Sequence, residues 1–288
     1  MDLLALSDLD AKTLEQLALR AIELSRLWER RAMPQALVGH RIGSIVELPG
    51  WRNPTALALG VEAMGGTCVT VTASLEGSET IEDLAGYLDN WFDLIAVRTP
   101  RLGRVRALAE ALDAPVMNLR TNDNHPCEIL GDLAFVASRR GSWEGLRVAV
   151  FGPCGNIAAS WVEAAKILPI EIVQVAPADL ALPREWTGQG VWTTEEPGAA
   201  KDADVIVTDC WPLASTEAQK SALSKQRISA AFLDTCRDDV LFIPCPPVTR
   251  GNEVTDDAMR HPRCTATDAK AYLLHTQNAV LEACSGQD

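Results

Sequence analysis

Apolar positions recur along this chain in two alternating rhythms, and the alternation predicts a layered α/β protein. Leu14, Leu17, Ala18, Ile22, Leu24 and Leu27 fall at helical spacing behind a Ser7/Asp8/Asp10 capping region, which predicts an amphipathic helix over 8–31. RIGSIVEL (41–48) is a compact apolar run and predicts a buried strand, followed by a turn and a helix ended by Gly65-Gly66. TCVTVTA (67–73) is rich in β-branched residues and reads as a strand. The alternation continues with helix 80–91, strand 93–100, helix 105–112, strand 114–120 and a long helix over 125–141. The second half repeats it. LRVAVFGPCGNIAASWVEAAKIL gives strand, tight turn and helix; strands are expected at 170–177, 204–211 and 230–236, LFIPCPPV (241–248) leads into a loop, and a helix spans 269–284. Repeated strand–helix alternation is the signature of parallel sheets covered on both faces. The expectation is two Rossmann-like α/β/α domains with central parallel sheets, 1–141 and 142–288, with the helix at about 269–284 returning to the first.

In such sheets ligands bind beyond the carboxyl ends of strands. The loops to inspect are therefore 49–55, 98–101, 152–157, 209–215 and 244–251. PGWRNPT (49–55) joins a strand to a helix, where free N–H groups favour an anion and Arg52 adds a full charge. Read alone, it fits a proline-punctuated helix cap with a surface arginine better. His125 opens a helix in HPCE, where it fits a carbonyl donor or a structural cap. The turn PCGN is not G-x-G-x-x-G, because Cys154 stands where a second glycine is wanted for pyrophosphate. Cys245 lies in a proline-locked loop with no base placed beside it, and Arg250-Gly251 and Glu253 follow.

Composition narrows the classes. A net charge of −13 argues against nucleic acid or an anionic membrane as the main partner, but leaves room for a pocket that gathers a few arginines. The eight cysteines include no C-x-x-C pair, so neither a zinc site nor a disulfide framework is expected, and reduced thiols in a cytoplasmic protein are. The N-terminal residues lack the basic-then-apolar plan of a signal peptide, and no apolar run reaches the ~20 residues that cross a bilayer.

Singly these motifs are bland; their order is not. PGWRNP, AVRTP, HPCEILGDL, VFGPCGNIAASW, VIVTDCWPLAS, FIPCPP and TRGNEVTDDAM follow one another as do the motifs of the aspartate/ornithine carbamoyltransferase family. Along nearly its whole length the chain resembles the ornithine carbamoyltransferase branch. The resemblance implies the carbamoyltransferase fold, a carbamoyl-phosphate-binding first domain, an amino-acid-binding second domain, and a homotrimer with active sites at subunit interfaces. It implies no metal and no cofactor. The partners it implies are carbamoyl phosphate or an analogue and an amino-acid-like amine.

Carried over position by position, the resemblance puts Arg98, His125 and Cys245 in catalytic roles. It puts Gly50, Trp51, Arg52, Asn53 and Glu128 around the donor, and Asn156, Asp209, Leu213 and Arg250 around the acceptor. The chain also departs from the family pattern. Gly50 and Trp51 stand for a serine and a threonine of the phosphate loop, and Asn53 and Pro54 for its second threonine and arginine. Glu128 replaces a glutamine, Leu213-Ala214-Ser215 a Ser-Met-Gly loop, Pro244 a histidine and Leu273 an arginine. A hydrogen bond to a charged group contributes roughly 1.5–3 kcal/mol, so three or four lost contacts weaken a phosphate site by several powers of ten unless replaced. Three readings stay open: an enzyme with an altered donor or acceptor, a non-catalytic homologue, and an ordinary ornithine carbamoyltransferase.

Overall fold

The computed structural model describes residues 1–212 and 214–286. The chain divides into two compact units, Met1–Arg139 with the segment from Lys270 onward, and Arg140–Ala269. The C-terminal helix thus belongs with the first unit along most of its length.

In the first unit the elements are α1 (Ala11–Glu29), β1 (Arg41–Val46), α2 (Arg52–Ala63), β2 (Thr67–Val71), α3 (Ile81–Asp89), β3 (Leu94–Arg98), α4 (Leu102–Ala111), β4 (Val116–Arg120) and α5 (Pro126–Arg140). Capping sets several of their starts. Asp10 accepts from Thr13 N at 2.7 Å, and Thr80 accepts from Asp83 N at 3.1 Å. The helix expected from residue 105 begins at Leu102, because the Asp123 carboxylate accepts from Leu102 N at 2.8 Å, a cap twenty-one residues away in sequence. Four parallel strands pair in the order β2-β1-β3-β4. All five residues of β3 are buried, as expected of a strand covered on both faces. Ile45, Ile81, Leu84, Leu88, Ile95, Val97, Val105, Leu108 and Val116 form the core on one side of this sheet.

In the second unit the elements are β5 (Leu146–Phe151), α6 (Asn156–Ala165), β6 (Ile170–Val175), β7 (Val191–Thr194), β8 (Val205–Thr208), α7 (Glu217–Ser224), α8 (Ala230–Asp234) and β9 (Leu241–Pro244), with α9 (Ala266–Cys284) closing the chain. Their parallel strands pair in the order β7-β6-β5-β8-β9. Phe151, Val173, Ile206, Leu233, Phe242 and Val254 are among its core residues.

One expected strand is a helix. AAFLDTC (230–236) is an apolar run short enough to suit either state. Ser229 decides it by accepting from Phe232 N at 3.1 Å, and α8 follows. Strand β7 and helix α7 lacked clear sequence signals. β7 is a four-residue edge strand, and α7 shows mainly through its Thr216–Gln219 capping box.

Both sheets reverse direction of growth next to their first strand. In the first unit β1 pairs with β2 on one side and β3 on the other; in the second, β5 pairs with β6 and β8. Each reversal opens a crevice beyond the strand ends. The loops there are 47–52 with 98–101, and 152–156 with 209–212.

Candidate active site

At the first switch point Glu47, just after β1, ties three loops. Its carboxylate accepts from Leu75 N at 2.9 Å, from Ser74 Oγ at 2.6 Å and from the Thr99 hydroxyl. Arg98 ends β3, where the register slips between Val97 and Arg98 and re-aims the side chain. Its Nε donates to Leu48 O at 3.2 Å and its Nη2 to Pro49 O at 2.7 Å. Arg98 is buried, and desolvation together with nearby Arg120 lowers its pKa to about 10, against an opposing pull from Glu128. It therefore stays cationic at neutral pH.

Gly50 makes this packing possible. Its φ is +141°, and a Cβ there would lie 2.5 Å from Arg98 Nη2. Trp51 follows, 66% exposed, with the Arg52 guanidinium 5.1 Å from its ring centroid. No side chain caps α2, so its first turn keeps N–H groups suited to an anion. Asn53 turns inward, and its Oδ1 accepts from Gln277 Nε2 of α9 at 3.0 Å.

His125 is set by a polar turn. Asn124 Oδ1 accepts from Asn118 Nδ2 at 2.8 Å and from Thr121 Oγ1 at 2.9 Å, while both amides donate to Leu4 O. His125 O then accepts from Ile129 N at 3.2 Å, and Pro126 takes the first helical position, where no N–H is needed. Burial lowers the His125 pKa to about 4; Glu128 pulls it up, and Arg120, Arg98 and Lys270 push it down. The imidazole is therefore neutral at pH 7, the state that polarises a carbonyl as a hydrogen-bond donor.

Glu128 is one turn along α5 and buried. Its Oε2 is 3.8 Å from His125 Nε2, and its Oε1 is 2.8 Å from Lys270 Nζ of α9. Lys270 also reaches Asp132 Oδ1 at 2.6 Å. Desolvation pushes the Glu128 pKa up, but Lys270, His125 and Arg52 outweigh it and hold the carboxylate ionised. Asp132 shifts upward, through burial first and then the Glu128 charge, against the pull of Lys270. The sequence reading named Arg98, His125 and Glu128, which the structure brings together, but not Glu47, Arg120 and Lys270. Glu47 and Arg120 sit in or just after strand ends and were open to that argument. Lys270 gave no local signal, since its partners lie about 140 residues earlier.

The second switch point carries other chemistry. Gln174 braces the 152–155 turn by donating to Gly152 O at 2.9 Å while accepting from Leu182 N at 2.7 Å. Asn156 begins α6 and is buried. Asp209 follows β8, is buried, and accepts from Cys210 N at 2.8 Å. A Cβ on Gly155 would come within 3.0 Å of Asp209 Oδ2, so glycine lets the carboxylate approach the turn.

Cys245 follows β9, is buried, and donates its N–H to Thr208 O at 3.0 Å. Burial and the Asp209 charge push the Cys210 thiol up to about 11, which disfavours its thiolate. Arg250 is half exposed and its Nη1 lies 2.5 Å from Asp256 Oδ1. Leu213 lies outside the described residues. Among the described residues no cluster of histidine, cysteine or carboxylate could hold a metal, and no helix is long and apolar enough to cross a membrane.

The two switch points coincide with two family matches. Residues 1–138 match the aspartate/ornithine carbamoyltransferase, carbamoyl-P binding domain, and residues 144–284 match the aspartate/ornithine carbamoyltransferase, Asp/Orn binding domain. The chain belongs to the aspartate/ornithine carbamoyltransferase family. It is 30% identical over 290 residues to an ornithine carbamoyltransferase of Psychrobacter cryohalolentis, covering 97% of this chain and 95% of that one. The fold agrees with the crystal structure of ornithine carbamoyltransferase from Burkholderia thailandensis at a TM-score of 0.90, with 26% identity and coverage of 98% of this chain and 97% of that chain. The enzyme from Pyrococcus furiosus also gives 0.90, at 27% identity over 97% and 95% of the two chains.

Proposed function

We propose that the chain transfers a carbamoyl or closely related group from an anionic donor to the amine of a small amino-acid-like acceptor, with donor or acceptor altered from that of ornithine carbamoyl transfer. The observation that carries this reading is the grouping of cationic Arg98 and neutral His125 beside a Glu128 whose charge Lys270 takes up. Two fixed donors of this kind suit a carbonyl oxygen that gains charge as it is attacked. Arg52 and the first turn of α2 suit the anionic leaving group. The acceptor amine attacks the carbamoyl carbon, the bond from that carbon to the leaving oxygen breaks, and the proton the amine gives up passes to the departing anion. Asn156 and Asp209 are assigned to the acceptor's ammonium and polar groups, with Cys245 lining the end of the acceptor. The proposed assembly is a homotrimer.

The alteration is inferred from the loop itself. Trp51 replaces a hydroxyl donor with an exposed indole, and Asn53 Oδ1 is engaged by Gln277. A second reading, a non-catalytic homologue, draws on the fact that Arg98 already donates to Leu48 O and Pro49 O. The test is an assay of the purified protein with carbamoyl phosphate against ornithine and a panel of amino acids and small amines. Phosphate release is followed together with mass spectrometry of the carbamoylated product. Amine-dependent release with a non-ornithine acceptor supports the proposal. Full turnover with ornithine would return the chain to ordinary ornithine carbamoyl transfer. A melting temperature unmoved by carbamoyl phosphate, with no turnover, would favour the non-catalytic reading, since a bound ligand at ~100 times its dissociation constant adds about 2.7 kcal/mol.

A further inference from the structure

We propose that Lys270 is a positioning residue of the donor site: its ammonium neutralises Glu128, so that this carboxylate neither competes with an anionic ligand for the neighbouring arginines nor draws a proton onto His125. The inference rests on the proposed function, and it concerns how this chain carries a carboxylate beside a site that must accept an anion.

Glu128 and Asp132 stand four residues apart on α5, where like charges face each other and repel. Both are buried, at 6% and 1% exposure, and the Lys270 side chain between them is 12% exposed. The two carboxylates are not equivalent. Asp132 lies seven residues beyond His125, about 10 Å along a helix axis, and Glu128 only three. Glu128 divides its oxygens, with Oε1 on Lys270 and Oε2 toward His125 Nε2. Arg52 and Arg98 both lie within electrostatic reach of this carboxylate. Without the ammonium, an unscreened Glu128 would be the preferred counter-ion of those arginines. With Lys270 in place an ammonium contacts both carboxylates, and of the two Glu128 is the one that adjoins the histidine.

This makes a position-specific prediction. Each of Glu128→Gln/Lys270→Met and Asp132→Asn/Lys270→Met removes the ammonium and retains one carboxylate, so the two differ only in where that carboxylate stands. Inorganic phosphate and carbamoyl phosphate are titrated calorimetrically into the native protein and both double variants, with melting temperatures measured alongside. The second double variant, which keeps Glu128, is expected to bind at least about tenfold more weakly than the first, the scale of one charged hydrogen bond. In turnover the loss is expected in the donor KM, with kcat at saturating donor largely kept, and only the second variant should raise the apparent pKa of His125 in the pH–rate profile. Equal binding by the two double variants would overturn the inference.

If neither double variant melts cooperatively, Glu128→Gln alone decides. It should bind phosphate at least as tightly as native, and weaker binding would count against the role of Lys270. Native protein that binds inorganic phosphate but not carbamoyl phosphate would overturn the proposed donor while leaving this inference standing. Native protein that binds neither would overturn both.

Discussion

The two units share one architecture, a parallel sheet with a reversal beside its first strand, yet the ends of those sheets carry opposite chemistry. The first unit gathers Arg52, Arg98, Arg120, His125 and Lys270 around one buried carboxylate pair. The second presents Asn156, Asp209 and cysteines, and its nearby Arg250 is already paired with Asp256. The fold supplies a crevice in both cases; the side chains at five or six loop positions decide whether that crevice favours an anion or an amine. The burden of burial differs too. In both units burial raises thiols, but in the first it also lowers His125, His275 and Arg98 and raises Asp132, whereas in the second it adds Glu253.

Substitutions can break this contrast. The largest effect is expected from Arg98→Ala, which should lower kcat by about 10²–10³-fold, as for other fixed donors to a developing oxyanion. Steady-state kinetics beside a melting curve checks this, and a normal rate would remove Arg98 from catalysis.

Acid should separate the first unit from the second. Burial lowers the pKa of both His125 and His275 to about 4. The unfolded chain therefore holds more protons than the folded one between about pH 6.5 and about 4. Stability is expected to fall as pH drops through that window, by on the order of 3 kcal/mol per histidine at most. Asp132 acts in the opposite sense, since burial favours its protonated form, and two imidazoles outweigh one carboxylate. Across this range His275→Gln should lose most of the pH dependence of stability read from urea melts, because the remaining His125 and Asp132 contributions nearly offset each other; an unchanged dependence would contradict the assignment.

Asp209→Ala should raise the acceptor KM by about 10–100-fold with the donor KM unchanged, the value of one hydrogen bond to a charged group. A change confined to the donor KM would reverse the roles given to the two units. Gly50→Ala should destabilise by about 1–3 kcal/mol, since alanine resists φ +141° and its Cβ meets Arg98. Denaturant midpoints test it. The smallest effect is expected from Asp256→Ala, whose ion pair with Arg250 is half exposed on both sides, at about 0–1 kcal/mol.

Much of the fold was legible because local rules agreed with the global one. The β-branched and apolar runs at 41–48, 93–100 and 146–151 sat between helical repeats, and both periods were visible. Where the reading failed, the deciding group was small or distant. Ser229 turned an expected strand into α8, and Asp123 moved the start of α4 by three residues. The site divides the same way. Motif order named Arg52, Arg98, His125 and Glu128, which lie near one another, whereas the side chain of Asn53 points at Gln277.

By itself, then, the sequence determined the alternation of strands and helices, the family, and which loops would lie beyond strand ends, because these follow from residue periodicity and motif order. Only the tertiary structure decided the ionic state of those loops. Glu128 reads as a liability until α9 brings Lys270 within 2.8 Å of it. Charge compensation acts through space, and nothing in the spacing of 128 and 270 along the chain encodes it.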